Sequence, residues 1–160
     1  ATVMSWRGTP GGIRASAEGH DVIMSPNTYV YLDYYQDLIR KEPKAVGHMQ
    51  SLRHVYKFDP VEGIAPEYHH HILGLQGNLW CELIPYAAHA EYMLYPRAFA
   101  IAEIGWTPQE KREFFHFRER CLILITIFRE KGYNTFDLFN ESLRAQTGRL
   151  RFDDPTFKLL

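Results

Sequence analysis

The chain has 160 residues, the usual length of a single domain, and its 46% hydrophobic and 23% charged residues exclude a disordered polypeptide. Eighteen basic residues against 19 acidic residues leave a formal net charge of -1, so no basic surface for nucleic acid is expected. The longest predominantly apolar run, Cys121–Phe128, is far shorter than the roughly 18 residues of a membrane-spanning helix, so no membrane partner is expected either.

The first part of the chain alternates strand and helix signals. Thr2–Trp6 and Val22–Met24 are apolar runs bounded by turn residues, which is typical of short buried strands. Between them, Ile13–Glu18 predicts a brief helix that ends at a glycine. An aromatic segment, Tyr29–Gln36, follows the second strand, and Pro43–Tyr56 predicts a weaker helix.

The middle of the chain repeats the same alternation. Ile72–Gln76 predicts a third buried strand, and a long helical stretch covers Ala87–Ile104. Pro96 lies inside that stretch. Because proline lacks an amide and clashes with the preceding turn, we expect the helix to break near Tyr95.

The last helix has the clearest start and stop signals. Thr107 predicts the N-cap, Pro108 the first helical position, and Glu110 stands three residues after the cap. Gly132 predicts its end. The apolar stripe expected to pack on the core consists of Phe114, Phe117, Cys121, Leu124 and Phe128. Beyond it, one short helix is expected over Asp137–Gln146.

Alternating strands and helices indicate an α/β fold with parallel strands and crossover helices. The loops at the carboxyl ends of such strands carry the chemistry. Five conspicuous side chains occupy these loops and are therefore expected on one face of the sheet: Trp6, Tyr31, Asp33, Trp80 and Glu82.

The residue types at these positions suit a sugar ligand. Aromatic residues make up 14% of the chain, and aromatic faces pack against the C–H faces of sugar rings, while carboxylates accept hydrogen bonds from hydroxyl groups. Arg7 is the single basic residue beside them in sequence, which disfavours a phosphate ligand. Each residue alone is also compatible with core filling or an exposed turn.

Several long motifs, in matching order and spacing, carry a resemblance to a known family. They are Met4–Gly8, Gly19–Pro26, Tyr31–Tyr34, Ile72–Glu82, Glu91–Arg97 and Ala102–Trp106. Over roughly residues 1–129 the chain resembles glycoside hydrolase family 20, the β-N-acetylhexosaminidases.

The resemblance implies a (β/α)8 TIM barrel, of which residues 1–131 would form the C-terminal third. The predicted strands would be strands 6 to 8 with their helices and a terminal helix, and residues 132–160 would be a tail or the start of a further segment. A barrel of this kind takes about 250 residues, so we expect the chain to be part of a larger domain.

The resemblance also implies an activity. Family members remove terminal N-acetylglucosamine or N-acetylgalactosamine from glycans with retention of configuration, by substrate-assisted catalysis that needs no cofactor. The residues alone imply no cellular compartment, whereas the resemblance implies that the complete protein is periplasmic, secreted or lysosomal.

Position by position, the resemblance implies roles for the five loop residues. Tyr31 would donate its hydroxyl to the acetamido oxygen of the substrate, as a catalytic group. Trp6 and Trp80 would line the acetamido pocket and the sugar face, and Asp33 and Glu82 would bind sugar hydroxyls. Cys81 stands where the family has a small hydroxyl residue, and its side chain is expected to point away from the pocket.

The Asp-Glu pair that the family uses for catalysis belongs to the fourth strand and has no counterpart in this chain. We therefore expect the chain alone to be inactive. Three strands cannot close a barrel, which takes about eight, so we also expect self-association or docking on the missing part. A non-catalytic carbohydrate-binding or interaction module is the alternative interpretation.

Two further features are expected to be structural. Consecutive histidines in an extended segment point to opposite sides, so His69–His71 should not form a metal site. Cys81 and Cys121 are expected to be free, buried thiols rather than a disulfide.

Overall fold

A computed structural model describes residues 1–147 of the chain and shows a three-stranded parallel sheet. The strands are β1 (Val3–Ser5), β2 (Val22–Met24) and β3 (Ile72–Leu75), in the spatial order β1-β2-β3. All three predicted strands and their parallel arrangement are confirmed, and the α/β class with them. The pairing shifts register between Val22 and Ile23, where β3 contributes an extra residue.

Six α-helices lie within the described residues. They are α1 (Pro10–Ala17), α2 (Leu52–Tyr56), α3 (Ala87–Leu94), α4 (Arg97–Trp106), α5 (Phe114–Glu130) and α6 (Leu143–Thr147). Short 3₁₀ turns cover Ile39–Lys41, Pro66–His71, Gln109–Lys111 and Leu138–Asn140. Within residues 1–147, every helix is too short or too polar to cross a membrane.

Helix α1 begins earlier than predicted, because the sheet itself supplies a partner for its first turn. The hydroxyl of Ser5, at the end of β1, accepts a hydrogen bond from the Gly12 amide at 2.8 Å and donates to the Gly8 carbonyl at 2.9 Å. The three residues before the predicted helix, Pro10–Gly12, thus form the first turn of α1. This link sets the direction in which the chain leaves β1.

The predicted helix over Pro43–Tyr56 is wrong for its first nine residues. Only α2 is helical, and it begins after Ser51, whose hydroxyl accepts a hydrogen bond from the His54 amide at 3.3 Å. The break at Pro96 is confirmed: α3 ends at Leu94 and α4 begins at Arg97.

The start of the last helix differs from the prediction. Thr107 is extended and is the C-cap residue of α4 rather than an N-cap, and α5 begins seven residues later, at Phe114. Glu113 is its cap, because the two carboxylate oxygens accept from the amides of Phe115 and His116 at 3.0 and 2.7 Å. A carboxylate satisfies two helix donors where a threonine hydroxyl would satisfy one.

The C-terminal part of the chain is only partly as predicted. Gly132 does follow the end of α5, with a φ of 88° that favours glycine. Instead of one helix over Asp137–Gln146, there is a 3₁₀ turn and then the short α6. The predicted tail 132–160 extends beyond the described part, since residues 148–160 lie outside it.

The core lies between the sheet and the helices α2, α4 and α5. Its fully buried side chains include Val22 and Met24 from β2 and Val55 from α2. From α5 the buried residues are Phe117, Cys121 and Ile125, so the predicted stripe is wrong at Leu124, which is exposed. Successive steps of four residues place one side chain of each turn against the core.

The close packing of α1 on the sheet gives a testable prediction. A Cβ atom at Gly12 would lie 2.5 Å from the Met24 sulfur and 3.1 Å from the Ser5 Cβ atom. Gly12→Ala should therefore lower the free energy of unfolding by about 1–3 kcal/mol, seen as a lower midpoint of thermal unfolding. Gly11→Ala is the matched control, because its Cβ would meet only the Ser5 hydroxyl at 3.4 Å. Equal midpoints for the two variants would contradict this packing.

Candidate active site

The carboxyl ends of the three strands open into one cavity. Trp6 directly follows β1, Tyr31 lies in the loop after β2, and Trp80 and Glu82 lie in the loop after β3. These four predicted residues line an open cavity of about 530 Å³, and the rest of its wall is formed by Met4, Gln76 and Asn78. Parallel strands that end at one edge of the sheet bring the loops together.

The two tryptophans of the cavity are unusually exposed for residues of this size. Trp6 is 45% exposed and Trp80 is 50% exposed, so neither belongs to the core of the described structure. The ring of Tyr31 lies beside that of Trp80, with centroids 6.3 Å apart and planes tilted by 58°. The Arg7 guanidinium stacks over the Trp6 ring, 4.6 Å from its centroid. The cavity therefore has aromatic walls that are open to a ligand.

Asp33 is not in the wall of this cavity, unlike the other four predicted residues. It is buried and lines a small adjoining cavity of about 10 Å³, which shares Trp80 and Glu82 with the large one. That volume has room for a single water molecule. Lys44 also lines it, so Arg7 is not the single basic residue near the site.

Opposing effects act on the pKa of the Asp33 carboxyl group. Burial raises its pKa, whereas hydrogen bonds from the backbone amides of Asp33 and Trp80 and the charge of Arg97 lower the pKa. Its Oδ1 atom has no hydrogen-bond partner within residues 1–147. A buried acceptor without a partner, beside the cavity wall, is available to a donor group of a ligand.

Backbone hydrogen bonds between the loop after β2 and the loop after β3 fix the position of Tyr31. The Leu32 amide donates to the Asn78 carbonyl at 2.6 Å, and the Asn78 amide donates to the Val30 carbonyl at 2.9 Å, which extends the parallel pairing beyond the strands. The Tyr31 amide donates to the side-chain oxygen of Gln50 at 3.2 Å. Its hydroxyl has no hydrogen-bond partner among the described residues and is free to bind a ligand.

Three supporting residues were not predicted from the sequence: Asn78, Gln50 and Arg97. Arg97 is fully buried, and its guanidinium donates to backbone carbonyls of the loop after β2, including that of Tyr34 at 2.8 Å. Burial lowers the pKa of Arg97 to about 9, so the side chain stays charged at neutral pH. The signal in the sequence that could have identified Arg97 is its place directly after the helix-breaking Pro96, at the start of an apolar helix.

The histidine run is not arranged as predicted, although it has no role at the cavity. His69–His71 form the last turn of a 3₁₀ helix rather than an extended segment, so the argument from opposite sides is wrong. The His71 ring nitrogen Nδ1 lies 3.1 Å from a carboxylate oxygen of Asp21. Residues 1–147 contain no group of three side chains able to hold a metal ion.

Comparison with known proteins identifies the family. The sequence profile of the glycosyl hydrolase family 20 catalytic domain matches residues 1–109. The chain belongs to glycosyl hydrolase family 20. Among family relatives, it is 44% identical over 122 residues to a beta-hexosaminidase of Porphyromonas gingivalis and 35% identical over 126 residues to one of Akkermansia muciniphila.

Solved family 20 structures share the fold. An exo beta-N-acetylglucosaminidase of Vibrio harveyi in complex with N-acetylglucosamine superposes with a TM-score of 0.77 at 26% identity, over 87% of this chain and 22% of that one. The matched regions cover 75% and 74% of this chain in the two relatives above, but only 16% and 24% of theirs. The chain thus spans less than a quarter of the length of these family 20 proteins.

The two cysteines are confirmed as free, but Cys81 is exposed rather than buried. Cys121 is fully buried, and burial raises the pKa of its thiol to about 12. We therefore expect one thiol per native chain to react rapidly with Ellman's reagent, because only an accessible thiolate attacks the reagent. Cys81→Ser should remove the rapid phase and Cys121→Ser should leave it unchanged. Two rapid thiols would show that the α5 core is open.

Proposed function

We propose that residues 1–131 form the C-terminal third of a family 20 (β/α)8 barrel, with β1, β2 and β3 as its strands 6 to 8. The parallel order of the strands and the short share of the relatives' length support this assignment. The outer edges of β1 and β3 would pair with the rest of the barrel. Residues 132–147 continue past α5, and the remainder of the proposed tail lies outside the described residues.

We further propose that the complete protein is a β-N-acetylhexosaminidase, which hydrolyses terminal N-acetylglucosamine or N-acetylgalactosamine residues of glycans with retention of configuration. The observation that carries this proposal is the open cavity in which Trp6, Tyr31, Trp80 and Glu82 meet. Half-exposed indole rings beside a carboxylate suit a sugar ring, which has both apolar C–H faces and hydroxyl groups.

In the proposed reaction, the acetamido oxygen of the substrate attacks its own anomeric carbon while a glutamic acid protonates the leaving oxygen. The C–O bond to the leaving group breaks as the oxazolinium ring forms, and water later opens that ring. The glutamic acid and the aspartate that orients the acetamido N–H would come from the fourth strand, outside this chain. No cofactor takes part in these steps.

Tyr31 is the proposed catalytic contribution of this chain. Its hydroxyl, free of protein partners within residues 1–147, would donate a hydrogen bond to the acetamido oxygen of the substrate. The bond would favour the geometry in which that oxygen attacks, and it would hold the acetamido group as the reaction proceeds. Because the backbone of Tyr31 is fixed by Asn78 and Gln50, this donor needs little reorganisation.

The other four residues are proposed to bind the sugar. Trp6 and Trp80 would pack on the acetamido methyl group and the ring face, and Glu82 would accept hydrogen bonds from hydroxyl groups. Asp33 would offer its unpartnered Oδ1 atom to a hydroxyl that enters the small adjoining cavity. Its burial favours a ligand donor that replaces water, because hydrogen bonds to a buried carboxylate are strong.

Removal of the Tyr31 hydroxyl tests the catalytic role. In the full-length protein that carries this chain, Tyr31→Phe should lower kcat for p-nitrophenyl N-acetyl-β-glucosaminide by about 10²–10³-fold, as loss of a transition-state donor does, with a smaller change in KM. Tyr29→Phe is the matched control, because the Tyr29 ring stacks between His54 and Phe58 in the same loop. Equal kcat values for the two variants would contradict the role of Tyr31.

The isolated 160-residue chain should not turn over the same substrate, because it lacks the proposed Asp-Glu pair. With unpaired strand edges and exposed apolar residues such as Leu73 and Trp106, it should also self-associate. Activity assays and light scattering check the two expectations. Turnover that Tyr31→Phe abolishes, or a monodisperse monomer, would each contradict the assignment to part of a barrel.

The binding-module alternative predicts a different result in the full-length protein. N-acetylglucosamine would then change the tryptophan fluorescence through Trp6 and Trp80, but no aryl glycoside would be hydrolysed. The beta-hexosaminidase names of the relatives favour the enzyme.

A further inference from the structure

The best-connected buried side chain of the described structure lies behind the candidate site rather than in it. Arg97, the first residue of α4, has no exposed surface. Its Nη1 atom donates to the carbonyl oxygens of Tyr34 and Gln50 at 2.8 and 3.1 Å. Its Nη2 atom donates to the carbonyl oxygens of Met93, at 2.7 Å, and Leu32. One guanidinium thus joins three separate segments of backbone.

Two of these carbonyl groups flank Asp33. Leu32 and Tyr34 belong to the turn that directly follows Tyr31, so the guanidinium holds the backbone on both sides of the buried carboxylate. The third, Gln50, carries the side chain that accepts from the Tyr31 amide. Every hydrogen bond from Arg97, apart from the local one to Met93, therefore reaches the backbone of residues that hold Tyr31 or Asp33.

The shape of the guanidinium matters as much as its charge. Four acceptors in different directions fit the planar fork of arginine, whereas a lysine ammonium is a compact donor on a flexible stem. A buried cation is also costly unless it is compensated, and here Glu42 and Asp33 supply the nearby negative charges. Glu42 is in turn fixed by the Tyr92 hydroxyl at 2.6 Å. An apolar side chain could fill the same space but could not hold the turn.

We propose that Arg97 is a positioning residue for the sugar site: it holds the Leu32–Tyr34 turn so that Tyr31 and Asp33 keep their places beside the substrate. This inference rests on the proposed function. Arg97 contacts neither cavity and acts only through the turn.

The test is a double-mutant cycle between Arg97→Lys and Tyr31→Phe in the full-length protein, with kcat/KM for p-nitrophenyl N-acetyl-β-glucosaminide as the readout. Arg97→Lys keeps the positive charge but loses the fork. It should lower kcat/KM by about 100-fold in the otherwise unchanged protein, as expected when a catalytic group moves by about 1 Å. In the Tyr31→Phe background no hydroxyl remains to be misplaced, so Arg97→Lys should lower kcat/KM by less than about tenfold.

Arg118→Lys is the matched control. Arg118, in α5, also donates to a backbone carbonyl, that of Leu138 at 2.9 Å, and lies next to Glu141, but it lines neither cavity. It should change kcat/KM by less than about twofold, and its effect should be the same in both backgrounds. Circular dichroism of each variant verifies that the protein is folded.

The outcomes separate the inference from the proposed function. If the unchanged full-length protein does not hydrolyse the glycoside, the proposed function is wrong. If it does, and Arg97→Lys has equal effects in the two backgrounds or no effect, Arg97 does not position Tyr31. Failure of both Arg97→Lys and Arg97→Gln to give folded protein would show that the arginine serves the fold as a whole, which also contradicts the proposal.

Discussion

The candidate site depends on one buried set of hydrogen bonds, those from the Arg97 guanidinium to the backbone around residues 32–50. The loop after β2 is long and irregular, and its backbone pairing consists of two isolated bridges, Tyr31 with Asn78 and Tyr34 with Val46. A loop without regular structure leaves carbonyl groups unpaired, and burying them without partners is costly. Arg97 satisfies three of them at once, and so turns a long connection into a fixed support.

This support explains why the two sides of the site differ. Tyr31 and Asp33 lie on the buried turn and are largely shielded from solvent, whereas Trp80 and Glu82 follow β3 in a loop that stays exposed. The buried side carries Tyr31, the proposed donor to the acetamido group, and the direction of this hydrogen bond matters most. The exposed side carries apolar and hydroxyl-binding contacts, for which small displacements matter less.

The sequence was sufficient to predict features that depend on local signals. The short apolar runs identified all three strands, and Pro96 marked the break between α3 and α4. The placement of Trp6, Tyr31, Trp80 and Glu82 in one cavity followed from strand order and parallel topology. The burial of Asp33 in the small adjoining cavity could not be predicted, because the turn that buries it is held by residues distant in sequence, Gln50 and Arg97. Glu113 was missed as a cap because a threonine–proline pair nearby is an equally good local signal.

Trp80 and Glu82 line both the large and the small cavity, so the loop after β3 contributes to the shape of both. A substitution in the Leu32–Tyr34 turn would have to preserve several buried hydrogen bonds before it could alter the ligand. In the loop after β3, Asn78 is paired with the backbone of the same turn, whereas Trp80 and Glu82 are exposed and reach both cavities, so a substitution at either would change the two cavities together. In the proposed sugar site, Trp80 and Glu82 are therefore the positions at which a substitution changes both cavities without removing a hydrogen bond of Arg97.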